Sequence, residues 1–261
     1  SGLATFIVVN SDGWILTAAH VLNDLPLAQQ HFAERQKYDA DRAAIAADLA
    51  LSKGERKKRN SRLVYNPKWI TNQSFWWGCD NAIAEDFQVD PIADVAIARL
   101  RNVDLSGISR FPVFKNPSLD PPPAGSLCRL GFPFVTITAT FDENSQRFAL
   151  QNFTPPPLFP NDGIHTRIMV LDDVTAGRKV KFIETSTPGL MGQSGGPLFD
   201  VKGEIWGVQS RTAFLELGFT PKTKEGSKEI VEHQFMNVGM AAHIQHVVEL
   251  FNTRGVAYQS A

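Results

Sequence analysis

The chain has 261 residues, of which 43% are hydrophobic and 20% are charged. Its 26 Lys and Arg residues nearly balance 27 Asp and Glu residues, giving a formal net charge of −1, so no overall field favours nucleic acid or an anionic membrane. The apolar runs fall short of the roughly 18 residues that a membrane-spanning helix needs. The 16 prolines and 19 glycines, set among short apolar runs, favour a β-protein rich in loops.

The chain begins with two predicted strands, 4–9 and 13–18, joined by a turn at residues 10–13 (NSDG). The second strand runs into the sequence TAAH, which places His20 at the end of an apolar segment. A single histidine at a strand end is more often a structural or surface residue than a catalytic base. His20 therefore becomes a candidate only if partners occur elsewhere in the chain.

Residues 25–60 interrupt this strand pattern. Residues 28–53 are mostly helix formers and predict a helix that ends at Gly54. A strongly basic run follows at 55–62 (ERKKRNSR), which we expect to be a charged loop. The segment is either a solvated surface insertion or a docking element for a partner or an acidic surface, and the first interpretation is favoured.

The next candidate is Asp94, which opens the apolar, strand-like segment 93–100. An aspartate at such a position most often only caps a turn. Residues 101–124 resemble a linker, because Pro117 and the three prolines at 121–123 enforce extended chain.

Ser194 lies in the segment 192–197 (GQSGGP). Gly192 lets the backbone turn sharply, so that neighbouring N–H groups can point at one spot and stabilise an oxyanion there. A nucleophilic serine also needs a histidine base and a carboxylate. The pattern G-x-S-x-G equally fits the nucleophile elbow of α/β-hydrolases, but those enzymes place the histidine after the serine. Here His20 and Asp94 precede Ser194, which is the order of chymotrypsin-type enzymes.

Two excursions from the strand pattern are predicted, at 141–163 and 213–233, the second with a charged, mobile stretch at 222–228. Residues 240–254 show apolar side chains at helical spacing and predict a C-terminal helix. Its two histidines are expected to be surface residues rather than metal ligands. They are His243 and His246.

The two cysteines, Cys79 and Cys128, have neither metal-ligand spacing nor a redox motif. A disulfide requires that the fold bring them together, and buried free thiols are the favoured interpretation. Disulfide-rich secretion is disfavoured, while the cytoplasm and the periplasm both stay open.

Segments 17–20, 94–97 and 192–197 resemble the histidine, aspartate and serine motifs of trypsin-like serine peptidases with the chymotrypsin fold, closest to the bacterial HtrA-like branch. Segments 125–133 and 203–210 resemble the strand that opens the second barrel and the strand that lines the substrate cleft. The resemblance implies an all-β fold of two six-stranded antiparallel β-barrels, with an inserted helical segment in barrel 1 and a C-terminal helix. No PDZ domain is expected in the chain. The implied divisions are a first barrel at 1–105 with its insertion at about 25–60, a linker at 106–124, a second barrel at 125–239, and a helix with its tail at 240–261.

The resemblance also implies a serine endopeptidase. Ser194 would attack the peptide carbonyl, His20 would accept its proton, and Asp94 would orient the imidazole. The N–H groups of Gly192 and Ser194 would form the oxyanion hole, and Ser210 would support the aspartate. The residues expected to contact substrate are Pro188, Leu190, Met191, Ser210, Arg211 and Thr212.

At two positions the residue differs from the one found in digestive serine peptidases. Gln193 stands where many digestive relatives have an aspartate that pairs with a new N-terminus, so that activation switch cannot operate. Pro188 falls near the pocket position that carries aspartate in trypsin, and a buried acid would be needed there to bind Lys or Arg. We therefore expect specificity that is not trypsin-like, for a small or medium apolar side chain.

The expected partners are a protein or peptide substrate and a regulatory partner or activating domain outside this chain. No cofactor, metal, nucleic acid or membrane is expected. An alternative is a binding module or chaperone that keeps the protease fold but is inactive unless a partner triggers it. An esterase is disfavoured by the order of the motifs.

Overall fold

The computed structural model describes residues 3–22, 24–71, 82–145, 147–151, 156–219, 222–225, 228–231 and 234–261. These residues form two compact units. One unit contains residues 3–21 together with those from 82 onward, and the other contains residues 22–71. The described strands all lie in the first unit.

The strands are, in chain order, β1 (Ile7–Val8), β2 (Trp14–Thr17), β3 (Ile83–Asp90), β4 (Val95–Arg101), β5 (Val113–Phe114), β6 (Ser126–Arg129), β7 (Thr138–Asp142), β8 (Arg147–Gln151), β9 (Asn161–Asp173), β10 (Arg178–Thr185), β11 (Pro197–Phe199), β12 (Glu204–Glu216), β13 (Lys222–Glu225), β14 (Lys228–Val231), β15 (Phe235–His243) and β16 (Gln259–Ser260). The helices are α1 (Asp24–Ala47), α2 (Lys53–Asn60) and α3 (Ile244–Arg254), with a 3₁₀ turn at Ala19–Leu22.

The N-terminal sheet has the order β1-β2-β4-β3 in the described part of the chain, and all its pairings are antiparallel. The predicted hairpin of β1 and β2 is confirmed, and Asn10 Oδ1 closes its turn by accepting from the N–H of Asp12 (3.0 Å) and of Trp14 (3.3 Å). Strand β4 is buried on both faces, because Ile97 packs into one apolar cluster and Ala98 into another. One of the two inner strands of this sheet therefore follows directly from the apolar run after Asp94.

The second sheet closes into a six-stranded antiparallel barrel in the order β11-β6-β9-β10-β15-β12, with β12 pairing back to β11. Strands β5 and β16 extend it as parallel neighbours of β12. The barrel core is continuous with Phe114, Phe251 and Tyr258, whose rings meet at centroid distances of 5.1–6.0 Å. This arrangement confirms the predicted all-β class and one six-stranded antiparallel barrel, while the N-terminal sheet has four strands in the described residues.

The C-terminal helix is present, but it begins at Ile244, because residues 240–243 belong to β15. The prediction that His243 and His246 are surface residues is wrong, since they are 0% and 1% exposed. His246 Nε2 accepts from the N–H of Lys181 (3.0 Å), and His243 Nε2 lies 3.1 Å from the carbonyl oxygen of Leu119. Burial lowers the pKa of His243 to about 4 and also lowers the pKa of His246, so both rings act as neutral hydrogen-bonding groups of the core.

The helical unit differs from the predicted single helix over 28–53 followed by a charged loop. Helix α1 ends at Ala47, and Gly54 lies inside α2. The side chain of Ser52 accepts from the N–H of Glu55, whose carboxylate accepts from the N–H of Ser52. This capping box starts a new helix in the basic run, because it satisfies two N–H groups at the helix end.

An aromatic cluster completes the helical unit. The rings of Tyr38, Tyr65 and Trp69 lie 5.5–5.6 Å apart between centroids. Trp69 Nε1 donates to Glu34 Oε2 at 2.9 Å. These contacts hold the residues after α2 against α1, so the unit has a packing centre of its own.

The two predicted excursions contain paired strands. Strands β7 and β8 pair with each other, and so do β13 and β14, of which β13 lies within the stretch expected to be mobile. Cys128 is a free, partly buried thiol whose pKa is raised by burial, and Cys79 lies outside the described residues. Among the helices that the structure describes, none is long and apolar enough to cross a membrane.

Candidate active site

The pairing of two strands brings His20 and Asp94 together. His20 follows β2 and Asp94 precedes β4, and these strands pair antiparallel with Thr17 opposite Ala96. The end of one strand therefore lies beside the start of the other. His20 Nδ1 is 2.9 Å from Asp94 Oδ2 and 3.1 Å from Oδ1, and the N–H of His20 donates to Oδ1 at 2.9 Å.

The surroundings of Asp94 keep its carboxylate ionised. Burial by itself raises the pKa of Asp94, but hydrogen bonds from His20 and from Ser210 Oγ outweigh burial and lower it. The hydrogen bond with Asp94 raises the pKa of His20. Because Nδ1 faces two carboxylate oxygens, we assign its proton there. The partly exposed imidazole is then left with a free lone pair on Nε2.

Ser194 lies on a tight loop whose shape depends on Gly192. The N–H of Gln193 donates to the carbonyl of Leu190 at 2.9 Å, which closes a turn with Gly192 at its third position. Gly192 has a φ of +99°, a conformation that glycine adopts without steric cost. A Cβ atom on Gly192 would also lie 2.5 Å from the carbonyl oxygen of Phe132. This turn therefore requires glycine for two separate reasons.

Two backbone donors on this loop have no acceptor. In the part of the chain that the structure describes, the N–H groups of Gly192 and Ser194 donate to nothing, while that of Gln193 between them is used inside the turn. Within the same residues, Ser194 Oγ and His20 Nε2 also have no hydrogen-bond partner. The arrangement offers two free donors, one hydroxyl and one imidazole lone pair.

Thr5 ties this loop to the N-terminal sheet. Its N–H donates to the carbonyl of Ser194 (2.9 Å), and its hydroxyl donates to the carbonyl of Gly192 (2.8 Å). Thr17 Oγ1 donates in turn to the carbonyl of Thr5 at 2.8 Å. These bonds fix the carbonyls of Gly192 and Ser194, and with them the peptide planes on either side of Gln193–Ser194. Sequence reasoning missed Thr5, since nothing in its local pattern marks it.

Gln193 braces the same loop from inside. Its side chain is 0% exposed; Oε1 accepts from the N–H of Leu190 at 3.0 Å, and Nε2 donates to the carbonyl of Phe159 at 3.4 Å. The sequence identified Gln193 only as the residue that removes an ion-pair switch. The structure shows that its neutral amide makes contacts that need no new N-terminus.

The residues expected to contact substrate lie on two facing segments. Ser210, Arg211 and Thr212 belong to β12, and Thr212 Oγ1 donates across the gap to the carbonyl of Gly189 at 2.6 Å. Arg211 is exposed, and its guanidinium carbon lies 4.6 Å from the ring centre of Phe182. The remaining three are on the segment before Gly192, and these are Pro188, Leu190 and Met191.

Most side chains of the candidate active site were predicted from the sequence, whereas the supporting contacts of Thr5 and Gln193 were not. The structure brings His20, Asp94 and Ser210 into direct contact and places Ser194 on the adjoining loop. Among the described residues, no group of three or more His, Cys, Asp or Glu side chains is placed to hold a metal ion. Chemically, the arrangement can polarise a hydroxyl and stabilise a negatively charged oxygen.

Comparison with protein families matches residues 4–208 to a family described as the trypsin-like peptidase domain. Among solved structures, an inactive form of Rv3671c from M. tuberculosis H37Rv is similar over 97% of this chain and 82% of its own, with 12% identity and a TM-score of 0.48. The HtrA-type protease AlgW with a tripeptide is similar over 97% of this chain and 55% of its own, with 14% identity and a TM-score of 0.49.

The chain spans about half the length of the AlgW chain. No curated protein sequence gives a significant match. The family match covers well over half of the chain and includes the segments that carry His20, Asp94 and Ser194. This chain belongs to the trypsin-like peptidase family and has the chymotrypsin-like fold.

Proposed function

We propose that the protein is a serine endopeptidase that hydrolyses peptide bonds of protein substrates. The observation that carries this proposal is the His20–Asp94 pair, oriented by two carboxylate oxygens and joined to Ser210. Such a pair leaves Nε2 as a base whose charged form the carboxylate stabilises. A turn with two free N–H groups adjoins it, which is the second requirement of acyl transfer.

The proposed reaction proceeds in two halves. Ser194 Oγ attacks the peptide carbonyl carbon while His20 Nε2 takes the hydroxyl proton, and Asp94 stabilises the resulting imidazolium. The free N–H groups of Gly192 and Ser194 donate to the oxyanion, each worth about 3 kcal/mol of transition-state stabilisation. The C–N bond then breaks, and the amine leaves with the proton from His20. Water deacylates Ser194 by the same steps, with His20 again as the base.

Among the described residues, Ser194 Oγ and His20 Nε2 form no hydrogen bond, and the proposal requires that substrate binding bring them into contact. Catalytic hydrogen bonds are often long before substrate binds and shorten in the complex. The edge of β12 at Arg211 and Thr212 pairs with β15 on one side. A substrate backbone would add on the other side as a further strand, which would place its carbonyl near Ser194.

Digestion of unfolded casein tests this proposal. The wild-type chain is expected to release peptides, and Ser194→Ala is expected to abolish their release because no nucleophile remains. Ser118→Ala is the matched control, since Ser118 is exposed on a segment outside the site. Intact casein with folded wild-type protein, or equal digestion by Ser194→Ala, would contradict the proposal.

A further inference from the structure

Arg129 is the last residue of β6 and is 0% exposed. A guanidinium carries five N–H donors and no acceptor. Arg129 Nε donates to Gln209 Oε1, and Nη1 donates to Thr187 Oγ1 at 3.1 Å. Nη2 is buried and has no hydrogen-bond partner among the residues that the structure describes. The side chain is thus a buried cation with only two of its donors used.

The charge of Arg129 is also left uncompensated by its described partners. No carboxylate of the described residues forms an ion pair with Arg129, and both of its hydrogen-bond partners are neutral. Burial lowers the pKa of Arg129 to about 10, which reflects how poorly its charge is compensated. An unpaired buried charge is strongly unfavourable, so a resting cation of this kind is suited to receiving an anion.

The guanidinium lies between the two segments that flank the catalytic loop. Thr187 belongs to the segment that leads to Ser194, and Gln209 directly precedes Ser210 on β12. A Cβ atom on Gly239 would lie 2.2 Å from Arg129 Nη2, and Gly239 pairs with Thr212 in the ladder of β12 and β15. Nη2 is therefore directed toward the floor of the space between these segments.

Two neutral contacts close this space. Thr212 Oγ1 donates to the carbonyl of Gly189, and the amide of Gln209 packs so closely on Gly189 that a Cβ there would lie 2.0 Å from Nε2. Gln209 Oε1 supplies one neutral oxygen to Arg129. A carboxylate that displaced these contacts would supply two oxygens and the missing charge in a bidentate pair.

We infer that Arg129 forms the floor of the primary substrate pocket and that the enzyme cleaves after Asp or Glu. The inference rests on the proposed peptidase function, and it replaces the expectation of an apolar side chain. The exposed cation of Arg211 beside the cleft also favours an acidic substrate residue, because it repels Lys and Arg. Pro188, where trypsin has an acid, supplies no opposing charge.

Matched peptides that differ only in the residue before the scissile bond test this inference. The series carries Glu, Asp, Gln, Leu, Ala or Lys, and kcat/KM is measured for each. Glu or Asp is expected to exceed Gln by at least about 100-fold, because a neutral amide leaves the buried cation uncompensated. Arg129→Met is expected to bring the Glu to Gln ratio close to one. Arg110→Met, at an exposed position, is the matched control and keeps the ratio.

The outcomes separate the two proposals. Efficient cleavage after Leu, Ala or Lys, with Glu no better than Gln, overturns the role of Arg129 and leaves the peptidase proposal standing. If neither the peptides nor casein are cleaved by folded protein, the peptidase proposal itself has failed, and this inference falls with it. If Arg129→Met does not fold, the wild-type ratio of Glu to Gln decides alone.

Discussion

Asp94→Asn removes one charge from the site and preserves its shape. Asp94 has a φ of +56°, and asparagine is among the residues that adopt this conformation most readily. If the amide oxygen takes the place of Oδ1, it still accepts from the N–H of His20. The new NH₂ group then takes the place of Oδ2 and points donors at His20 Nδ1 and Ser210 Oγ.

The expected loss of activity follows because the group facing His20 Nδ1 changes from a hydrogen-bond acceptor to a donor. Nδ1 of His20 must now accept, so its proton moves to Nε2, and the ring can no longer take the proton of Ser194. We expect kcat to fall by about 10⁴-fold, the cost of the wrong tautomer, or about 5 kcal/mol in the activation barrier. KM should change much less, because no substrate contact is removed.

The pH profile provides a second readout. Asp94 raises the pKa of His20, and hydrolysis requires the neutral ring, so wild-type activity rises as the pH increases through that raised pKa. Without the carboxylate, the pKa of His20 falls, and the acid limb of kcat/KM moves to lower pH. Asp86→Asn is the control, since Asp86 is exposed and has a φ of +55°. A loss under 10-fold with an unmoved acid limb would refute the reasoning.

Three further substitutions test the supports of the site and the insertion. Gln193→Ala leaves the N–H of Leu190 without its acceptor. Because the turn that presents the N–H groups of Gly192 and Ser194 then loosens, kcat should fall about 10- to 100-fold. An unchanged kcat would contradict the proposal that Gln193 braces this turn. Thr5→Val keeps the side-chain volume but loses the hydroxyl bond to the Gly192 carbonyl. We expect the free energy of unfolding, measured in urea, to fall by about 1 kcal/mol and kcat to fall with it. Thr5→Ser should restore both quantities. Ser52→Ala removes the capping box and should destabilise α2 by about 1 kcal/mol, which would speed hydrogen exchange of its amides. Equal exchange rates in the variant and the wild type would show that the cap is dispensable.

The sequence was sufficient to predict the pairing of His20 with Asp94. Both residues lie at the ends of strongly apolar strands, and the apolar pattern fixed which strands exist. The family pattern then supplied which strands are neighbours. The glycine at 192 was also predictable, because the turn it makes is local.

Long-range contacts were beyond prediction. Thr5 meets Gly192 across 187 positions of the chain, and Arg129 meets Gln209 across 80, so no local spacing records either contact. His243 was misjudged because β15 extends to this residue, and His246 because it packs on β10, where its Nε2 accepts from the N–H of Lys181. The start of α2 was missed although the sequence contains its signal, because Ser52 and Glu55 stand at capping-box spacing.

The mass of the intact protein after treatment with a fluorophosphonate tests the central claim most directly. The account predicts one covalent adduct per chain, located on Ser194 by peptide mapping and absent from Ser194→Ala. Asp94→Asn should react far more slowly, because His20 no longer activates the hydroxyl. A folded wild-type chain that takes up no adduct, or takes it up at another residue, would contradict the assignment of Ser194 as an activated nucleophile.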